Sequence, residues 1–154
     1  MASLHRDFIT DAHCYFPDGK VDWAELYSLD PNFFLKVNKL PDADLLMAYL
    51  APFDPEILTA EPNRWKWPWC PEHKRAWIKE KFGDHFETIV VPHALYKQEY
   101  CLDGSCVLID DSELNIQQWK SRGGIGILHT SSLDSIHQLQ DLGISLSAFI
   151  PQEY

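Results

Sequence analysis

No apolar run in this 154-residue chain approaches the roughly 18 residues that a membrane-spanning helix needs, so no transmembrane segment is expected. The opening residues, MASLHRDFITD, hold neither a basic stretch nor an apolar one after it. No secretory signal is therefore expected, and the cytoplasm is the expected compartment. Positive charge is scarce: 13 Lys and Arg stand against 23 Asp and Glu, a formal net charge of -10. Most of such a surface would repel an extended nucleic acid, so a site for phosphate must be a local pocket. Cysteines are few. Cys70-x-x-His73 and Cys101-x4-Cys106 could be assembled around zinc, but the paired spacing of zinc sites is missing, and with Cys14 they read more simply as reduced thiols. Neither an internal repeat nor a low-complexity linker interrupts the chain. One domain over 1–154 is expected, long enough to bury a single core.

What is present is an ordinary globular composition, 45% hydrophobic and 23% charged, with six tryptophans. Residues 4–16 read as a short helix or an extended arm. Asp22 is a plausible N-cap for a helical turn DWAELY, which Asp30-Pro31 stops. NFFLKV follows with a helical face of Phe33, Phe34 and Val37, and a longer helix begins after Pro41, apolar at Ala43, Leu45, Leu46, Tyr49 and Leu50. After Pro52 the pattern changes. Short apolar runs at 56–60, 88–91, 105–109 and 125–129 read as buried strands, and 71–82, 113–122 and 132–142 read as helices. Gly83 is a natural end for the first of these. Strands alternating with helices imply a parallel α/β sheet with its ligand crevice at the carboxyl ends of the strands.

Those strand ends hold the residues that carry chemistry. Asp110 and Asp111 follow VLI directly. Adjacent carboxylates repel unless a cation or hydrogen bonds compensate them, and magnesium is a natural cation, the alternative being an Asp that caps the next helix. Thr59, followed by Ala60, could offer a hydroxyl and backbone N–H groups to a phosphate oxygen. Lys97 precedes the third strand and could supply a point charge. Arg64, Trp65, Lys66, Trp67 and Trp69 alternate cations with aromatic rings that could stack on a base. Phe33 and Phe34 could also meet a base, though core packing is the simpler expectation for them and for some of the tryptophans. Lys74 and His129 are weaker candidates.

In order, the segments EILTAEP, YKQEYCLDGSCVLIDDSELNIQQW and GGIGILH, with LDPNFFLKVNKLPDADLL and CPEHKRAWIKEKFG between and before them, resemble the haloacid dehalogenase superfamily. The closest resemblance is to its 5'-nucleotidase-like branch, common in bacteriophages, and it runs over about residues 23 to 130. It implies a HAD-like three-layer α/β sandwich, with a small helical cap at about 17–50, a core at 53–145 and a tail at 146–154. Thr59 and Ala60, Lys97, and Asp110 with Asp111 then take the places of its second, third and fourth motifs, the aspartates binding magnesium.

The family's nucleophile lies in a DxDG motif ending a first, central strand, and this sequence departs there. Its start, LHRDFITD, matches what would follow that motif. Asp11 in Asp11-Ala12-His13 is the one local candidate for a catalytic relic, with no apolar strand before it. Ser112 departs too, where relatives carry Arg or Lys. A chain of this kind is expected to bind a nucleotide-like phosphorylated ligand without hydrolysing it, and to hold magnesium weakly or not at all. In a phage setting that could mean sequestering a nucleotide signal of host defence, in the host cytoplasm. Two alternatives stand beside this. One is an active magnesium-dependent nucleotidase whose nucleophile comes from another chain or from Asp11; the other is a protein-interaction module. A missing central strand also leaves edges that invite pairing. The expectation is a homo-oligomer, or a rearranged sheet in which the flanking strands meet, with the tail LSAFIPQEY as a replacement strand.

Overall fold

The computed structural model describes residues 18–62 and 67–146. Its first third is helical: α1 (Trp23–Leu29), α2 (Phe33–Lys36) and α3 (Ala43–Leu50), followed by a 3-10 turn at Ala51–Phe53. Asp22 caps α1 as its position suggests, accepting the N–H groups of Ala24 and Glu25, both at 3.1 Å. The remainder alternates strands and helices: β1 (Ile57–Ala60), α4 (Cys70–Phe82), β2 (Thr88–Val91), a 3-10 segment (Ala94–Tyr100), β3 (Val107–Asp110), α5 (Glu113–Ser121), β4 (Ile125–Leu128) and α6 (Ser132–Asp141). The fold is mixed α/β with parallel strand pairs.

The boundaries differ from the expected ones where side chains compete with the ladder. The third strand starts at Val107 and not at Ser105 because Asp103 holds the N–H and the hydroxyl of Ser105 in a turn. The 3-10 segment before it carries no clear periodicity, and reading the sequence leaves it unassigned. Gly83 ends α4 as expected, at φ 95°, a conformation only glycine adopts freely.

The four strands form two separate parallel pairs. β1 pairs with β2 in the register Ile57 to Thr88, and β3 pairs with β4 in the register Val107 to Ile125. β1 and β3 are not hydrogen-bonded to each other. The rearranged sheet expected from the sequence, with the flanking strands brought together, is therefore not formed by the described residues. The tail proposed as a replacement strand lies outside them from residue 147.

Three apolar clusters cover these strands. Leu26, Phe33, Phe34, Val37, Trp67 and Cys70 form one, between the helical first third and the start of α4. Ile57 packs with Met47, Trp77, Ile78 and Phe86 on one face of β1. Leu58, its neighbour on the opposite face, packs against Leu108, Ile116 and Trp119. That last contact sets β1 beside β3. Trp119 fixes α5 to the strand before it through an indole N–H donated to the Cys106 carbonyl at 3.1 Å. α3 and α6 are tied by Asp42, whose carboxylate accepts the Ser132 N–H at 2.7 Å while its carbonyl accepts the Ser132 hydroxyl at 2.8 Å.

Candidate functional site

Asp110 closes β3 and is buried, 2% exposed. An isolated carboxylate at that depth would be costly, so its partners decide what it can do. Oδ2 accepts from the Lys97 ammonium at 2.6 Å and from Asn115 Nδ2 at 3.2 Å; Oδ1 accepts from the Ser112 N–H at 2.9 Å and from Asn115 Nδ2 at 3.0 Å. Lys97 reaches it from the 3-10 segment and is itself buried. Ser112 also caps α5, its hydroxyl accepting the Asn115 N–H at 3.3 Å. The helix is therefore capped by Ser112 and not by an aspartate, and Ser112 stands where the resemblance expected Arg or Lys.

These contacts bear on magnesium. A carboxylate has about four acceptor positions, and Asp110 fills them with four hydrogen bonds. The Lys97 ammonium stands where a cation would approach Oδ2. As arranged, Asp110 does not fit the role of a magnesium ligand, and its charge is compensated from within the protein. Asp111 is half-buried. Among the described residues no group of three or more His, Cys, Asp or Glu gathers that could hold a metal ion. The zinc alternative fails on the same ground. Cys70 sits in the aromatic cluster, whereas Cys101 and Cys106 pack against the Trp119 cluster.

At the end of the other inner strand, Thr59 Oγ1 accepts from the Lys74 ammonium at 3.2 Å. Lys74 comes from the second turn of α4, one turn beyond the buried Cys70. Its ammonium also lies 4.6 Å from the centre of the Phe34 ring. No carboxylate among the described residues pairs with it. Burial lowers its pKa from the ordinary 10.5 to about 8, and the charge of Lys97 acts in the same direction while Glu61 opposes both. The 3-10 segment that carries Lys97 packs against β1, the strand whose end Lys74 reaches. Burial pushes the Cys70 thiol up to about 12, so it is no nucleophile at neutral pH.

The structure thus brings together Thr59, Lys74, Lys97 and Asp110, with Ala60 half-buried at the end of β1. Lys74, the weaker candidate from the sequence, is a half-buried cation with no carboxylate partner among the described residues. Phe33, Phe34 and Trp67 lie in the core, Trp67 only 2% exposed with its indole N–H donated to the Pro31 carbonyl at 3.2 Å. They pack on one another and form no open stacking face; the contact of Phe34 with Lys74 is its link to the site. Arg64, Trp65, Lys66 and Asp11 fall outside the described residues. His129 follows β4 with Nδ1 2.8 Å from the Ser135 hydroxyl; burial lowers its pKa, with Asp42, Asp111 and Asp134 opposing. Asn115 opens the N-x-x-x-W stretch that the sequence shows after the aspartates, but it was given no role there. Its signal is its place five residues after Asp110, within the first turn of α5, where an amide can turn back to the strand end.

Comparison with known proteins gives no match: no family model, no curated protein and no solved structure is similar to this chain.

Proposed function

We propose that the protein binds a small phosphorylated ligand, nucleotide-like in kind, at the carboxyl ends of β1 and β3, on a scaffold of the haloacid dehalogenase type, and does not hydrolyse it. The observation that carries this reading is Lys74: a half-buried lysine bonded to a neutral hydroxyl and lacking a carboxylate partner among the described residues. A phosphate dianion would relieve its burial and its repulsion by Lys97 together. Thr59 can donate its hydroxyl hydrogen to the same group. Binding without hydrolysis is favoured because the buried Asp110 is held by Lys97, Asn115 and Ser112, which leaves its oxygens no lone pair for a metal or for attack on phosphorus. The order of the strands and their parallel pairing agree with the proposed scaffold.

Thermal melts in magnesium-free buffer test the reading. Inorganic phosphate or nucleoside monophosphates at about 100 times Kd should add about 2.7 kcal/mol of stability. The Lys74→Met variant should lose that response. A melting temperature unmoved by every phosphate compound, or an undiminished response in Lys74→Met, would refute the site. Magnesium-dependent phosphate release that disappears in Asp110→Ala would instead establish an active nucleotidase.

A further inference from the structure

Two of the three described cysteines bracket one exposed turn. Cys101 ends the 3-10 segment, where its N–H donates to the Gln98 carbonyl at 3.2 Å, and Cys106 stands just before β3. The residues between them, Leu102 to Ser105, are all exposed, while both cysteines are half-buried free thiols. Their sulfurs converge on one residue. The Cys101 thiol donates to the Asp103 carbonyl at 3.7 Å, and the Cys106 thiol to the Asp103 carboxylate at 3.7 Å. The Cys106 N–H donates to that same carbonyl at 3.3 Å, which folds the turn back on itself. The other side of the pair is a shared wall. The Cys106 carbonyl accepts from the Trp119 indole at 3.1 Å and from the Ile125 N–H at 2.9 Å. Cys101 Sγ lies over Gly124, where a Cβ would come within 2.5 Å of the sulfur and 2.4 Å of the indole nitrogen. Glycine there leaves the space that Cys101 fills beside Trp119. Thiols are weak donors, so the contacts with Asp103 leave each sulfur free to turn toward the other.

We propose that Cys101 and Cys106 are a redox site, which a low-molecular-weight disulfide such as oxidised glutathione converts to an intrachain disulfide closing this turn. One protein thiolate attacks a sulfur of the small disulfide, whose S–S bond breaks to release one small thiol. The second protein thiolate attacks the protein sulfur of the mixed disulfide, and the second small thiol leaves. Two protein thiols are oxidised and the small disulfide is reduced to two thiols, which take up the two protons that the cysteines gave. The fold selects this pair. Cys70 is sealed in the aromatic cluster, and burial there keeps its thiol protonated and inert. Position gives the bond its consequence. Cys101 lies four residues after Lys97 and Cys106 four before Asp110. The disulfide therefore closes the neck of the loop whose two ends make the buried ion pair. Because it spans a short exposed turn, it stays open to reduction and works as a reversible staple. None of this rests on the phosphate reading.

The test equilibrates the full chain in mixtures of reduced and oxidised glutathione, traps free thiols with iodoacetamide and digests with trypsin. Cleavage after Lys97 and Lys120 leaves both cysteines in one peptide, 98–120. As the oxidised share rises, that peptide should become lighter by two hydrogen atoms and refuse alkylation. Dithiothreitol should return it to the doubly alkylated form. Cys101→Ser should abolish the loss of two hydrogens and leave a glutathione adduct on Cys106. Closure should depend on the fold: in urea the closed peptide should fall by about tenfold or more relative to its glutathione adducts, as the two sulfurs lose their shared setting. Equal closure in urea and in buffer would overturn the inference. Glutathione on both cysteines as the final product would overturn it too, as would a bond from either to Cys14 or Cys70. A peptide that stays fully alkylatable at every glutathione ratio would sink it outright.

Discussion

Lys97 and Asp110 make a pair in which neither partner is free to leave. Both are buried and joined at 2.6 Å, so truncating one strands the other's charge in a medium of low dielectric. Lys97→Met should lower unfolding stability by about 3–5 kcal/mol in urea titrations, and adding Asp110→Asn should recover part of the loss. Lys74 behaves in the opposite way. The unfolded chain keeps this proton up to its ordinary 10.5, while the folded protein releases it near 8. Between those values the unfolded state binds more protons, so stability rises with pH through the window, and below pH 8 the full burial penalty is present. Lys74→Met should therefore stabilise the protein by about 1–3 kcal/mol at pH 7, with the gain fading by about pH 10.5. A lysine that lowers stability where it stands is the trade-off expected if it is kept for the proposed phosphate site.

Between elements, close approach matters more than capping. The backbone of Gly124, just before β4, lies against the Trp119 indole and the Cys101 sulfur, and a Cβ built there would come within 2.5 Å of Cys101 Sγ. Trp119 cannot give way without losing its hydrogen bond to Cys106. Gly124→Ala should cost about 1–3 kcal/mol in urea melts, because either the helix or the strand must shift. Element identity was largely legible in the sequence. The periodicity of Phe33, Phe34 and Val37, the apolar runs of the four strands, and Gly83 all mark what forms there. What escaped reading was the 3-10 segment at Ala94–Tyr100, whose role is to lead a buried lysine to the end of a strand. A single Lys in an irregular stretch carries no pattern.

At the scale of the whole molecule, His129 and Asp42 both make acid unfavourable. Burial holds His129 below its usual 6.5, and the Ser132 N–H bond holds Asp42 below 3.8. Each binds fewer protons folded than unfolded, so stability falls as pH falls, first through the histidine's range and then through the aspartate's. Urea midpoints at about pH 7.5 and about pH 5.5 should show a loss, smaller in His129→Gln. High salt is needed in that comparison to screen the self-repulsion of a net charge of -10. No helix among the described residues is long and apolar enough to cross a membrane.

The sequence by itself determined the alternation of strands and helices, because apolar spacing, caps and glycines act within a few residues of one another. It also marked Thr59 and Asp110 as strand-end residues, and Lys97 in the segment before the third strand, as worth attention. Tertiary structure alone decided which charges meet. That Lys97 satisfies Asp110, while the half-buried Lys74 meets Thr59 and no carboxylate among the described residues, depends on how the 3-10 segment and α4 pack around β1 and β3. The pairing of β1 with β2 and of β3 with β4 was likewise decided in three dimensions, since strand register is a property of a pair of strands and no single segment carries it.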